Sequence, residues 1–328
     1  MRLFSASLLS SLVLATSFSA YSAASLDLNS LPEQNIPSYI KAFKQQRESL
    51  WIRYAGQQYP ITMVGLTGKN IIAQFEKGLV FISFDMEEQS PGEKLIIAEG
   101  QFELTKLSER VLAKADVIWQ SDDFDAKEQG DDYRYTGQVT NQQGEKAAFA
   151  LSYNESLITG GTSRFTLHAN QAVLTGMLGT NTYVQLSNII EQHPEVDTVV
   201  IKQVRGSLND EINMHTGNLL RNAGLNTQIP QDGFAYSGGV DLFTAGVKRQ
   251  VEANGTLGVH SWCCYQGKTA DKLDKTSPAH HDQLNYFSKM LGEDLGPEFY
   301  FYTLHASPFT DVHPMTRQEM QKYSLLNE

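Results

Sequence analysis

The chain has 328 residues, with 26 Lys and Arg against 37 Asp and Glu, a formal net charge of −11, and 41% hydrophobic and 19% charged residues. With a mean hydropathy of −0.32, this composition excludes intrinsic disorder, a collagen-like chain and a multi-span membrane protein as descriptions of the whole. A pI near 5.2 without a basic cluster speaks against a nucleic-acid partner, because phosphate binding draws on grouped Lys and Arg. An acidic surface gains nothing from anionic lipid, so the expected partners are a small molecule, a peptide or a second copy of the chain.

At the N-terminus, Arg2 precedes an apolar run, Leu8 to Leu14, broken only by Ser10 and Ser11. Small residues then accumulate up to Ser22-Ala23-Ala24. This is the pattern of a cleaved export signal over residues 1–24. The alternative, a membrane anchor, needs a longer and more apolar stretch of about 20 residues. No cysteine follows the cleavage region, so a lipid anchor has no attachment point. The expected location is a Gram-negative periplasm or the exterior, with no membrane contact after cleavage. The two cysteines, Cys263 and Cys264, are adjacent. Neighbours can bridge only through a small strained ring, so no structural staple is expected and stability must come from burial. The mature chain is long enough for two modest cores.

Asp27 to Asn35 reads as a polar leader closed by Pro32 and Pro37, and the spacing of Tyr39, Ile40, Phe43 and Leu50 predicts a helix over Ser38 to Trp51. The period then changes. Tyr59 to Val64, Asn70 to Phe75 and Leu79 to Phe84 are β-branched or aromatic and are separated by turns at Gly65, Gly68 and Gly78, a strand pattern. Gln101 to Lys106 and Tyr133 to Val139 look similar, with a hairpin expected at Gln143-Gly144. Ser121 to Asp132 carries six acidic residues and one Lys. As a calcium loop with Asp123, Asp125 and Glu128 it lacks the glycine and the terminal Glu spacing of an EF-hand, so a solvated acidic loop is expected. Residues 25–165 are thus expected to form a β-rich α+β domain without recognisable chemistry.

Beyond the turn Gly160-Gly161-Thr162-Ser163, strands and helices alternate. Strands are expected at Gln171 to Gly176, Val196 to Val204, Asn226 to Pro230 and Thr256 to His260, with helices at Thr182 to Gln192 and Leu208 to Asn222. Elements in this order imply βαβ crossovers and a parallel sheet covered on both faces. Residues 166–328 are therefore expected to be an α/β domain.

Ser237 stands between a strand-like and a helix-like segment and is followed by two glycines. A nucleophilic serine needs an exposed Oγ at a sharp turn, with the next N–H free to bind an oxyanion at a helix start. Ser is equally a good N-cap, and Gly-Gly a flexible turn. His260 follows 23 residues later at the end of a strand. It can serve as the general base if the intervening helix packs back on the sheet, or it can be an ordinary structural histidine. Val204-Arg205-Gly206-Ser207 ends the most strand-like run at the sheet edge where ligands bind in open α/β folds. The Gly206 amide is a second candidate oxyanion donor, and the bland alternative is a βα turn.

Taken together, residues from about Gln171 to Leu326 resemble the ClpP/crotonase superfamily, and within it exported proteins of ClpP-like serine protease type. The likeness is carried by an ordered set. It runs through Leu174-Thr-Gly176, the strand Val196 to Lys202, Arg205-Gly206-Ser207-Leu208, Tyr236-Ser-Gly-Gly-Val-Asp-Leu-Phe-Thr-Ala-Gly246, Gly258-Val-His-Ser261 and the closing Met315-Thr-Arg-Gln-Glu-Met-Gln-Lys-Tyr-Ser-Leu325. The resemblance implies Ser237 as nucleophile, His260 as base, Gly206 and Gly238 as oxyanion donors and Asp311 as the acid, with no cofactor and no metal. It also implies self-association, since such domains commonly form rings or trimers. Two positions depart from the family. Strict counting back from Glu319 lands on Val312 rather than Asp311, with His313 a polar alternative, and Arg205-Gly206 stands where Pro-Gly-Gly is usual.

Other chemistries fit less well. A Ser–Lys dyad through Lys268 or Lys272 needs a desolvated amine, and that run is polar. Cys263 or Cys264 as nucleophile lacks an oxyanion turn, and a metal at His280-His281 fails because helix neighbours diverge by about 100°. Asp241 reads as a charge on a helix surface. The expected activity is acyl transfer by an exported serine hydrolase, a peptidase, acting on a peptide or small acyl substrate. The alternative of a different class is an inactive binding or assembly module of the same fold. Acyl-CoA chemistry is a third reading, opposed by export from the compartment where CoA thioesters occur.

Overall fold

The computed structural model describes residues 31–67, 70–85, 90–102, 111–129 and 132–327; residues 1–24, read above as an export signal, lie outside them. The described residues divide into two compact units, one of Lys44–Ile158 and one of Leu31–Phe43 together with Thr159 onward. Helix α1 (Ile36–Glu48) crosses that division. It stops short of Trp51, which begins a strand instead of ending the helix. Among the described residues no helix is long and apolar enough to cross a membrane.

The first unit is built from nine antiparallel strands, β1 (Trp51–Tyr54), β2 (Gln57–Thr67), β3 (Asn70–Phe75), β4 (Gly78–Asp85), β5 (Ser90–Glu99), β6 (Val117–Ser121), β7 (Phe124–Gln129), β8 (Asp132–Asn141) and β9 (Lys146–Asn154). Their order is β6-β5-β4-β3-β2-β1-β9-β8-β7. The upper end of β8 also pairs with β6, Trp119 facing Asn141 and Gln120 facing Thr140. This closes the sheet into a barrel, with β7 paired along β8 on one side only among the described residues. The near-continuous apolar runs follow from burial on both faces. Ile71, Ala73, Val80, Ile82, Leu95 and Ile97 are wholly buried on one face. On the other, Ile72, Leu79, Phe81 and Ala98 pack with Val111 of the β5–β6 connection.

Two expectations for this unit are corrected. The acidic stretch Ser121 to Asp132 is not a loop: Phe124–Gln129 forms strand β7, paired along the lower half of β8 from Phe124↔Gly137 to Gln129↔Asp132. The single aromatic anchors it, since the Phe124 ring meets Tyr135 at 5.9 Å and Phe149 at 6.3 Å, while Asp125 and Lys127 stay exposed. Gln101 and Phe102 lie outside any strand, and the rest of that expected strand, Glu103 to Lys106, falls outside the described residues. The strand in this region is β5, which opens on Ser-Pro-Gly and hides its apolar core, Leu95 to Ala98, behind turn residues.

The second unit carries the parallel sheet. β10 (Arg164–His168) lies antiparallel on β11 (Gln171–Thr175), and β12 (Thr198–Val204) runs parallel to β11. β12 then serves two branches. Its first half pairs with β13 (Asn226–Ile229), which pairs with β15 (Arg249–Val251). Its second half pairs with β14 (Phe234–Tyr236), which pairs with β16 (Thr256–Val259), and β17 (His313–Pro314) closes antiparallel on β16. The crossovers are α2 (Thr180–Gln192), α3 (Asp210–Asn222) and α4 (Gly238–Thr244). Helices α5 (His281–Leu291), α6 (Leu295–Ala306) and α7 (Arg317–Lys322) follow β16. One core joins strand residues Leu174, Ile201, Val204, Ala235, Leu257 and Val259 to Val240, Leu242 and Phe243 of α4. Helix α3 starts as its sequence requires: the Asn209 side chain accepts the Ile212 amide at 3.2 Å, with Asp210 and Glu211 in the first turn.

Candidate active site

The carboxyl ends of β12, β14 and β16 meet at one edge of this sheet. β14 and β16 are in register with Tyr236 opposite Gly258, and the Ser237 amide donates to the Gly258 carbonyl at 3.0 Å. The chain turns sharply at Ser237, with φ 53° and ψ −127°, and enters α4 at once; the serine hydroxyl makes no capping bond. A non-glycine residue in that region costs about 1–3 kcal/mol and persists only where its surroundings impose it. Ordinary N-capping, which requires an extended Ser and an Oγ bonded to the helix, is therefore not what Ser237 does.

Two glycines crowd this turn. A Cβ on Gly206, at φ +148°, would stand 3.3 Å from the Ser237 Cβ, and one on Gly238 would stand 2.6 Å from the Ser207 Cβ. The carbonyls of both glycines are also bonded. The Leu178 amide donates to the Gly206 carbonyl and the Asn213 side-chain amide to the Gly238 carbonyl, each at 2.9 Å. The single glycine of Arg205-Gly206 is enough to bring the end of β12 against Ser237. Gly206, at the end of β12, thus lies beside the turn formed by Ser237 and Gly238.

His260 follows the last residue of β16, on the strand next to the one that ends in Ser237. It is half-buried, and its Nδ1 donates to the Ser261 carbonyl at 2.7 Å. Burial pushes its pKa below the ordinary histidine value, against the opposing effect of the Ser261 bond. An imidazole that donates from Nδ1 and is neutral carries its lone pair on Nε2, the form a general base needs.

The third position is different. Asp311 is exposed, its Oδ1 accepts the amide of its own neighbour Val312 at 2.8 Å, and its amide donates to the Pro308 carbonyl. The β16–β17 pairing sets Gly258 opposite Pro314 and Val259 opposite His313. His313 is engaged elsewhere, its Nε2 lying 3.1 and 3.2 Å from the Glu319 carboxylate oxygens. Burial alone would raise the Glu319 carboxyl. The Thr316 amide, the Tyr302 and Thr316 hydroxyls and His313 outweigh it and hold the group down to about 2.

Several residues around the site were not legible beforehand. Asp241 is not a solvated surface charge: it is half-buried, and burial first and the Asp210 charge second hold its carboxyl well above the usual range. Two guanidinium groups brace the far end of α4. Arg221 donates to the Ala245 and Thr244 carbonyls at 2.7 and 2.9 Å, and buried Arg249 donates to Gly246 at 3.0 Å and to Ser324 at 2.8 Å. Cys263 and Cys264 are joined by a disulfide. The bridge spans adjacent residues, so it ties no distant segments and leaves neither thiol as a nucleophile. Lys268 and Lys272 are exposed, and His280 is buried on the Tyr300 hydroxyl while His281 faces solvent. Among the described residues no group of His, Cys, Asp and Glu is arranged to hold a metal.

No family model and no curated protein matches the chain. Among solved structures it is similar to a putative enoyl-CoA hydratase/isomerase (crotonase) from Legionella pneumophila, at 11% identity over 51% of this chain and 68% of that one, with a TM-score of 0.33. It is also similar to a membrane-bound stomatin-specific protease solved with a substrate peptide, at 14% identity over 48% and 71% of the two chains, TM-score 0.34. A putative enoyl-CoA hydratase from Streptomyces avermitilis stands at 13% identity over 51% and 66%, TM-score 0.33. At these scores the likeness supports no inference about activity, and the α/β architecture rests on the strand pairing of the second unit itself.

Proposed function

We propose that the protein is an exported serine hydrolase, a peptidase, acting by acyl transfer. The observation that carries this reading is Ser237: a non-glycine residue in a strained conformation at a strand end, with its hydroxyl unused by the helix it opens. Strain of this kind, imposed by a register bond to Gly258 and by two tightly packed glycines, presents the Oγ at a sharp turn. In the proposed reaction Ser237 attacks a carbonyl and its proton passes to His260 Nε2. The Gly206 and Gly238 amides hold the developing oxyanion, a contribution of about 10²–10³ in rate for one donor. The His260 proton then goes to the leaving group, and water resolves the acyl-enzyme.

The test is covalent labelling by a fluorophosphonate probe, beside Ser237→Ala and His260→Ala with near-UV circular dichroism as the folding control. Labelling is expected in the wild type and lost in both variants. Because burial lowers the His260 pKa, the rate should rise with pH through an inflection below the ordinary histidine value of about 6.5. An unlabelled wild type, beside a serine hydrolase that labels in the same tube, would instead favour an inactive binding module, the reading to which the exposed, locally bonded Asp311 lends support.

A further inference from the structure

We propose that Asp271, acting through Ser261, is the residue that positions His260, in the place a serine–histidine site ordinarily gives to an acid on the imidazole. This rests on the reading of Ser237 and His260 as nucleophile and base. The acceptor of the His260 Nδ1 proton is the Ser261 carbonyl, at 2.7 Å. A carbonyl one residue along the chain orients a ring only if the residue that carries it is held, and Ser261 is held through its amide and its hydroxyl. The Ser261 amide donates to the Ser307 carbonyl at 2.9 Å, at the end of α6. The Ser261 hydroxyl donates to Asp271 Oδ1 at 3.1 Å and accepts the Asp271 amide at 3.1 Å.

Ser261 is wholly buried, so its hydroxyl has no access to solvent as an alternative partner, while Asp271 is partly exposed. The same loop is closed once more by the Ala270 amide on the Trp262 carbonyl at 3.0 Å, and pinned to α6 by the Trp262 indole N–H on the Tyr300 hydroxyl at 3.0 Å. Asp271 thus ties the two ends of the loop that begins at His260. Its carboxyl is kept below the usual range by the Thr269 hydroxyl first, with the Ser261 hydroxyl and the Lys272 charge adding to it. It remains an ionised acceptor across the working pH range. Asp311, the acid expected from the resemblance, spends its Oδ1 on the amide of Val312.

The experiment uses the full-length protein and two readouts, the ¹⁵N-resolved tautomer and titration of His260 and the pH profile of fluorophosphonate labelling. In the wild type the neutral His260 should carry its proton on Nδ1. Asp271→Asn and Ser261→Ala should admit the Nε2–H tautomer, move the inflection to lower pH because the Ser261 carbonyl that favours imidazolium is no longer held against Nδ1, and slow labelling by about 10- to 100-fold. Asp271→Glu should recover part of the rate. A merely structural loss would lower the labelled fraction without moving the inflection or the tautomer. If Asp271→Asn does not fold, Ser261→Ala interrogates the same bond from its other side. A wild-type Nε2–H tautomer overturns the proposal, as does an inflection moved by Asp311→Asn and not by Asp271→Asn. A wild type with the Nδ1–H tautomer that fails to label overturns the hydrolase reading, and the positioning role of Asp271 in it, while leaving the Ser261 contact in place.

Discussion

Asp241 sits one helical turn after Ser237, where an ionised side chain is least welcome. Asp210 faces it from α3, the Tyr286 hydroxyl from α5 donates to its backbone carbonyl at 2.8 Å, and the Arg221 guanidinium from α3 is committed to the Thr244 and Ala245 carbonyls. A carboxyl raised in the folded state keeps its proton to a higher pH than it does in the unfolded chain. Through that window the native state binds more protons, so stability falls as pH rises from the ordinary carboxyl range upward. Asp241→Asn keeps the shape and removes the charge. The melting temperature of the variant relative to wild type should therefore climb as pH goes from 4 to 8. A difference that stays flat over that range would mean Asp241 ionises as it does in water.

At the scale of elements, α4 is a seven-residue helix that carries Ser237 at one end, too short to stand by its own backbone bonds. Its other end is bound to the C-terminal segment by Arg249, which is 5% exposed and donates to Gly246, Ser324 and Leu325 carbonyls within 3.2 Å. Burial first, and the Arg221 charge second, lower its pKa to about 10, still protonated at neutral pH. Arg249→Met fills much of the volume but leaves three carbonyls without their donor, and should cost about 3 kcal/mol. Thermal unfolding measures it, and a loss under about 1 kcal/mol would show that water replaces the guanidinium. This brace has no signature in the sequence, because an arginine donating to distant carbonyls looks like any surface arginine. The strands that could be read were those with a strong apolar pattern: β3 agrees with its expected limits, and β12, β13 and β16 agree within two residues. β7 has no strand signature, as five polar or small residues follow its one aromatic, and α1 ends before its helical spacing does, because Leu50 and Trp51 continue that spacing up to the start of β1. The neighbouring strand ends that hold Ser237 and His260 were legible from strand–Ser–Gly–Gly–helix order. The Ser261–Asp271 contact was not, since it depends on how a loop folds back.

At the scale of the whole molecule, the second unit is not a contiguous piece of chain, because residues before Phe43 complete it. Tyr39 reaches across 141 positions to place its hydroxyl 2.9 Å from Thr180 Oγ1, while the Asn209 side-chain amide donates to it at 3.0 Å. His215 Nε2 meets the Leu31 carbonyl at 2.7 Å, and the Gly160 backbone lies so near the Phe43 ring that a Cβ there would stand 2.9 Å from it. The Tyr39 contacts fall on the starts of α2 and α3 and the Leu31 contact on the middle of α3, which supplies the Asn213 bonded to the Gly238 carbonyl. Contacts between segments so far apart carry a large loop-closure cost, so they persist only where burial and satisfied polar groups offset it. Thr180 is wholly buried, and removing its partner should leave a hydroxyl poorly paired. Tyr39→Phe, which keeps the ring and deletes only the hydroxyl, should then destabilise the folded chain by about 1 kcal/mol. The effect belongs to the polar contact alone, so Thr180→Val in the Tyr39→Phe background should add less than it does in the wild type, as coupled neighbours do. Denaturant unfolding of the four proteins decides it. Strictly additive losses would show that the leading segment rests on the second unit through its apolar side chains, with the hydroxyl along for the ride.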